Sequence, residues 1–246
     1  MFRCIVLIPS YNSGALLRRT VVGVLAVCPD VVVVTDGSTD GSDQTLDDLR
    51  PMHPGLKVLH LAHNGGKGRA VLHGAQWAIQ AGYTHVLTMD ADGQHPAQSV
   101  LDFIYAAQCA PGAVVLGVPV FGPEAPALRV WGRKLSNFLI GMETRGAVED
   151  CLFGFRVYPA RAMVAALQAS HFMRGFDFDP EVAVRMVWQG MPVLNKPAAV
   201  QYFNAEQGGI SHFHYVRDNA RLAFMHVRLL FTWVWRACCG KPLRSF

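Results

Sequence analysis

The residues best placed to do chemistry are Asp90-Ala91-Asp92-Gly93-Gln94-His95-Pro96, directly behind the apolar run His85-Val86-Leu87-Thr88-Met89. Two carboxylates two residues apart on a turning backbone can hold one hard divalent cation. Mg²⁺ or Mn²⁺ suits them, because both prefer oxygen ligands, keep several waters and bridge to phosphate oxygens. Gln94 can add a neutral oxygen. Such an ion would stabilise negative charge on a departing diphosphate by Lewis-acid action. An acidic turn with helix-capping side chains would use the same residue types. The position at the end of a buried strand, beside other polar loops, favours the metal reading.

Two further loops carry ligand-seeking groups. Asp36-Gly37-Ser38-Thr39-Asp40-Gly41-Ser42 closes the run Val31-Val32-Val33-Val34. The Asp36 carboxylate there either accepts hydrogen bonds from a base N–H or a ribose hydroxyl, or it simply helps to make the turn. His63-Asn64-Gly65-Gly66-Lys67-Gly68-Arg69 is glycine-rich and basic. Its glycines allow close backbone approach to a ligand, and Lys67 offers a charge for phosphate. An ordinary loop with a solvated lysine would look the same. The segment is neither GxxxxGK[ST] nor GxGxxG.

The elements that must position these loops alternate. Ile5-Val6-Leu7-Ile8 reads as a buried parallel strand. A helix over about 14–27 follows, with Asn12 or Ser13 as its cap. Val31–Val34 is a second strand, followed by a short helix, and a third strand lies near 58–61. A helix is expected over about 69–81, strands over 85–89 and 113–118, and Pro96 suits the first turn of the intervening helix. This order predicts an α/β fold with a doubly wound, mostly parallel sheet. Ligands in such sheets sit outside the carboxyl ends of the strands, so the four loops should meet in one crevice. Beyond residue 120 the pattern is less regular. Helices are expected near 127–141 and 179–189, and extended chain at 153–158 and 193–203. No repeat, low-complexity tract or linker divides the chain, which reads as one domain over 1–210 with a tail over 211–246.

The 246 residues are 51% hydrophobic, enough for a sizeable core. Six cysteines without CxxC spacing read as buried thiols, which suits a reducing compartment and argues against structural zinc. The start of the chain shows no signal-peptide pattern, and no stretch of about 18 uncharged apolar residues predicts a membrane span. The formal net charge of +4 is uneven. From Ser211 onward six basic residues face one acid, while the remainder holds 16 basic against 17 acidic residues. A near-neutral bulk argues against nucleic acid as a partner.

Taken together, Pro9-Ser10-Tyr11-Asn12, Asp36-Gly37-Ser38, Asn64-Gly65-Gly66-Lys67-Gly68 and the Asp90–Pro96 segment resemble, in order and rough spacing, the family-2 glycosyltransferases. Within them the chain looks like the dolichol-phosphate mannosyltransferase-like branch, over roughly residues 4–205. The resemblance implies a GT-A fold (Rossmann-like), an inverting mechanism and a nucleotide-sugar donor. It implies that Pro9, Tyr11 and Asp36 line the nucleoside pocket, that Lys67 lies near the donor, and that Asp90, Asp92 and Gln94 bind metal and diphosphate. Asp150-Cys151-Leu152-Phe153-Gly154-Phe155-Arg156 resembles the family's acceptor-side segment. Asp150 is then the first candidate for acceptor-side chemistry and Asp179 the second. A hydroxyl acceptor needs a general base, whereas a phosphate acceptor is already ionised. Arg133 and Arg156 either grip diphosphate or acceptor phosphate, or form structural ion pairs. The chain departs from the branch at Ser13, Thr35 and Gly117 and over Phe203–Ser211, so mannose, dolichol and GDP do not carry over.

Residues 217–236 can form an amphipathic helix. Arg217, Arg221 and Arg228 share a narrow stripe, with Leu222, Met225, Leu229, Leu230 and Trp233 on another side. Such a helix either lies in a membrane interface, with arginines snorkelling to lipid phosphates, or packs in a core or subunit interface. The resulting expectation is an inverting, metal-dependent transferase that moves a sugar from a UDP- or GDP-sugar to a polyprenyl-phosphate or other lipid-linked acceptor. It would act in the cytoplasm, peripherally at the membrane face. A catalytically inactive nucleotide-sugar or lipid-binding module and a sugar nucleotidyltransferase are the rival readings.

Overall fold

The computed structural model describes residues 1–121, 127–200 and 215–239, with backbone only at 127–132, 215, 236 and 237. The segment Phe203–Ser211 and the expected domain border at 210 lie outside the described residues. The first half alternates as expected: β1 (Cys4–Ser10), α1 (Gly14–Leu25), β2 (Val31–Asp36), β3 (Leu56–Leu61), α2 (Lys67–Gln80), β4 (His85–Thr88), α3 (Val100–Cys109) and β5 (Val114–Val120). The short helix expected after β2 is a 3₁₀ turn at Gln44–Leu46. The second half holds α4 (Ala127–Glu143), β6 (Arg156–Pro159), α5 (Ala160–Gln168), α6 (Phe178–Trp188), β7 (Val193–Ala199) and α7 (Tyr215–Cys238).

The seven strands lie in the order β3-β2-β1-β4-β6-β5-β7. β1 pairs in parallel with β2 and β4, β2 with β3, and β5 with β7, while β6 runs antiparallel to β4 and β5. The sheet is therefore doubly wound and mostly parallel. Strand pleating divides the core into two layers. Ile5, Leu7, Val32 and Val34 face α2 and, further across the sheet, residues of α5, α6 and α7. Val6, Ile8, Val31 and Val33 face α1 and α3. With both faces covered, the central strands are continuous apolar runs without alternation.

Several expectations need correction. Ser13, the residue before α1, makes no capping bond with its side chain. Asp40, from the loop after β2, accepts the Gly14 N–H at 2.9 Å instead. Residues 153–155 are not strand, and α5 follows β6 without an intervening polar turn. All six cysteines are free thiols, but only Cys4, Cys28 and Cys151 are buried, whereas Cys109, Cys238 and Cys239 are exposed. Among the described residues no helix is long and apolar enough to cross a membrane.

α7 is docked on the body of the fold. Leu222, Met225 and Leu229 enter the core on the α2 side, and His226 Nε2 lies 3.2 Å from Ser136 Oγ on α4. The fully buried Glu181 of α6 binds Arg185 Nε at 2.8 Å and takes both terminal nitrogens of Arg228 from α7. Nearby, Glu143 at the end of α4 is also buried and its Oε2 has no hydrogen-bond partner. Burial, together with the Glu181 charge, pushes its pKa from the ordinary 4.5 up to about 8.

Folding thus takes up a proton on Glu143 that the unfolded chain would release. Its contribution is fullest below pH 4.5 and is lost as pH rises through about 8. Denaturant unfolding at pH 6 and 8.5 should show Glu143→Gln abolishing a loss of up to about 2 kcal/mol seen in the parent chain.

Candidate active site

The loops behind β1, β2, β3 and β4 leave the sheet at the same end, and polar side chains stitch them together. The Asn12 N–H donates to Ser38 Oγ at 3.1 Å, and the Thr39 N–H donates to Asn12 Oδ1 at 2.8 Å. Asp36, buried at the end of β2, accepts the Gly65 N–H at 2.9 Å and the Gly66 N–H at 2.7 Å. Its carboxylate therefore shapes the glycine loop. The loop in turn lies against the segment before α6. The Gly68 N–H donates to the Arg174 carbonyl at 3.1 Å. Gly66 holds φ at +93°, and a Cβ there would fall 2.0 Å from that same carbonyl oxygen. The glycines serve close approach to protein backbone as well as left-handed geometry.

Lys67 is the first residue of α2 and stands at the centre of the site. Its Nζ lies 2.6 Å from Asp90 Oδ1 and 2.6 Å from Asp179 Oδ2. Burial works to lower the lysine pKa, but the Asp179 and Asp90 carboxylates outweigh it and hold the value above the ordinary one. Asp90 responds in reverse. Burial would raise its pKa, while the Lys67 charge brings it below the usual carboxylate range. Asp92 has no such cation, and burial and the neighbouring Asp90 charge push its pKa up. Its Oδ1 accepts the Gln94 N–H at 3.0 Å. Asp179 Oδ1 is buried and has no hydrogen-bond partner.

Asp90 and Asp179 thus flank one ammonium and Asp92 stands beside Asp90, while the buried Arg156 charge also acts on Asp90 and Asp179, so three carboxylates face two fixed cations. His95 does not correct the balance, because burial lowers its pKa and its Nδ1 accepts the Asp90 N–H at 3.0 Å. Among the described residues no group of three His, Cys, Asp or Glu side chains has metal-ligand geometry. A cation held by one or two carboxylates plus phosphate oxygens and waters does not need one. The excess negative charge and the unpartnered Asp179 oxygen fit such a guest.

The acceptor-side candidates sit differently. Asp150 is buried, and its Oδ1 accepts the N–H groups of Leu152 and Phe153 at 3.0 and 2.8 Å. Its Oδ2 takes Asn137 Nδ2 at 3.0 Å and lies 3.3 Å from Arg133 Nε. Asp150 therefore orients Arg133, whose guanidinium also lies over the Phe121 ring at 5.4 Å. Arg156 is not presented to the crevice. It is fully buried, and it donates to the carbonyls of Phe153, Asp150 and Asp179 and to the Tyr158 hydroxyl. It locks the segment 150–156 onto α6, and a phosphate would have to displace that whole set. Tyr11 is 36% exposed beside the half-buried Pro9.

Three residues matter that sequence reasoning did not single out: Asn137, His95 and Gly154. Asn137 follows Arg133 by one helical turn, and this spacing was the available signal. A Cβ on Gly154 would lie 2.7 Å from Lys67 Nζ and 2.9 Å from Asp90 Oδ2.

The profile of Glycosyl transferase family 2 matches residues 5–165. The chain belongs to that family. It is a glycosyltransferase of the dolichol-phosphate mannosyltransferase-like branch. It is 28% identical over 222 residues to the polyprenol monophosphomannose synthase of Mycolicibacterium smegmatis, covering 85% of this chain and 80% of that one. It is 26% identical over 207 residues to the undecaprenyl-phosphate mannosyltransferase of Micrococcus luteus, covering 79% and 82%. Its GT-A fold is shared with a mannosyltransferase from Pyrobaculum calidifontis solved with GDP-Man and Mn²⁺. That match has a TM-score of 0.62 at 17% identity and covers 94% of this chain and 64% of that one. The glucosyl-3-phosphoglycerate synthase of Mycobacterium tuberculosis, solved with Mn²⁺ and UDP, matches with a TM-score of 0.60 at 17% identity, covering 98% and 81%.

In this glycosyltransferase Gly154→Ala should drive the Lys67–Asp90 pair apart and slow sugar transfer by about tenfold or more, since small misplacements at a reacting centre are costly. Gly141→Ala, whose Cβ meets nothing within 4 Å, should transfer at the parental rate. Initial rates of both variants at saturating donor give the comparison.

Proposed function

We propose that the chain transfers a sugar from a UDP- or GDP-sugar to a polyprenyl phosphate, with inversion at the anomeric carbon. The observation that carries this reading is the set of buried Asp179 and partly buried Asp90, Asp92 and Lys67 at the carboxyl end of the sheet. Its negative excess matches a divalent cation and its diphosphate. Relatives named for polyprenol and undecaprenyl phosphate support the acceptor class. Structural neighbours solved with Mn²⁺ support a divalent metal.

Asp90, Asp92 and Gln94 would hold Mg²⁺ or Mn²⁺. When bound, that ion stabilises negative charge on the leaving diphosphate. Lys67 keeps Asp90 ionised and in place. Pro9 and Tyr11 flank the nucleoside, and Asp36 holds the glycine loop that borders it. Arg133, oriented by Asp150, attracts the acceptor phosphate. An oxygen of that phosphate attacks the anomeric carbon as the bond to the diphosphate breaks on the opposite face, and the nucleoside diphosphate departs with the electron pair. A phosphate acceptor is ionised at neutral pH, so the step needs no general base. Asp150, fully engaged by hydrogen bonds, then positions rather than deprotonates. α7 places the enzyme peripherally on the cytoplasmic membrane face through its exposed side chains, among them Phe231 and Trp235.

The test supplies purified protein with a panel of UDP- and GDP-sugars, Mg²⁺ or Mn²⁺ and a polyprenyl phosphate, and follows nucleotide release. One donor should turn over, chelator should stop it, and Asp92→Asn should lower the rate by about a hundredfold or more. Without metal, Asp92→Asn should melt higher than the parent, because it removes a half-buried charge repelled by Asp90. Folded protein that binds neither UDP nor GDP in the presence of metal sinks the proposal.

A further inference from the structure

A cavity of about 340 Å³ opens between the segment 171–177 and α7, lined by His171, Phe172, Arg174, Arg221, Phe224 and Arg228 among others. Its charges are unbalanced. Asp177 also lines it, but that carboxylate accepts the Met173 and Gly175 N–H groups at 3.1 and 2.8 Å. Arg228 is paired with Glu181 and lies 3.9 Å over the Phe172 ring. Among the described residues Arg221 has one acidic partner, Asp218 at 3.7 Å, and Asp218 is already shared with Arg217 at 3.0 Å. Arg174 is exposed and makes no ion pair with a described residue. Two guanidiniums therefore face the cavity in excess of its carboxylates, and guanidinium forks match phosphate oxygens.

The rim is apolar. Phe172 and Phe224 are 45% and 55% exposed, with ring centroids 5.8 Å apart. Residues 217, 221, 224, 228, 231 and 235 fall on one stripe of α7 at helical spacing. Arginine occupies 217, 221 and 228, while Phe224, Phe231 and Trp235 carry the stripe onward as exposed aromatics. A cationic cavity that opens along an aromatic stripe suits a ligand with a phosphate head and a hydrocarbon tail.

We propose that this cavity is a second, non-catalytic site that binds the phosphate of a membrane phospholipid. The segment 173–175 separates it from the Lys67 site, since the Arg174 carbonyl accepts the Gly68 N–H on one side while the Arg174 side chain lines the cavity on the other. The assignment deepens the proposed membrane contact of α7 and rests on that contact. It is independent of the donor and of transfer chemistry.

The test uses the full chain, short-chain dihexanoyl phosphatidic acid, inorganic phosphate, and vesicles of phosphatidylcholine with or without phosphatidic acid. Arg174→Gln and Arg221→Gln are suitable variants because both side chains are exposed, and their melting curves report folding. Calorimetry should show the short-chain lipid binding at least about tenfold more tightly than inorganic phosphate, and the double variant losing at least about tenfold of that affinity. Vesicle sedimentation should require phosphatidic acid and fall in the same variant. Equal binding of the lipid to parent and folded double variant overturns the cavity assignment, even where vesicles still sediment the protein and membrane contact stands. Equal affinity for inorganic phosphate and lipid overturns the amphiphile as ligand. Absence of vesicle binding in any composition overturns the membrane contact itself.

Discussion

The site depends on one ammonium group. Lys67 Nζ joins the glycine loop behind β3, the end of β4 and the start of α6, because its two carboxylate partners belong to Asp90 and Asp179. The partners are separated from it by 23 and 112 residues of chain. Removing the lysine would leave the buried Asp179 and the partly buried Asp90 without their shared counter-charge, a costly change at a site shielded from water. Its place between two acids suits the proposed meeting of a cation and a diphosphate. The ammonium offsets part of the repulsion between the carboxylates, and in the proposed function the remaining negative charge would be left for the metal.

The same economy of contacts explains why the glycine loop is conformationally narrow. Gly66 and Gly68 are hemmed in by the carbonyls of residues 173 and 174, and Asp36 holds the loop's N–H groups from below. The loop is thus defined by protein on both sides before any ligand arrives. Such pre-organisation is what a transferase needs to keep small displacements from reaching the reacting centre.

Much of this was legible in the sequence. β1 to β5 were readable because strands covered on both faces are continuous apolar runs bounded by polar turns. The Asp90–Asp92 turn and Lys67 were readable because their loops follow such strands. The antiparallel direction of β6 was not, since four residues carry no mark of direction. Nor was α5, which follows Pro159 directly, with most of its residues buried and no polar turn to announce it. The Lys67–Asp179 pair joins residues that only the closed sheet brings together. Arg156 was read either as a phosphate ligand, because arginine commonly does that work, or as part of a structural ion pair. Its neighbours Phe153, Phe155, Val157 and Tyr158, all buried, were the sequence signal that it points into the core instead.

The segment 171–177 lies between the Lys67 site and the α7 cavity. One side of it supplies carbonyls to the glycine loop. The other faces the arginines of α7. Met173, at φ +62°, sits in a backbone region that non-glycine residues seldom adopt. Asp177 stabilises that shape by accepting two backbone N–H groups. A ligand that prefers this conformation on either side must favour it on the other, because linkage between two sites that share one element is reciprocal. On the proposed membrane contact, a ligand in the α7 cavity and one at Lys67 would therefore bear on the same few residues.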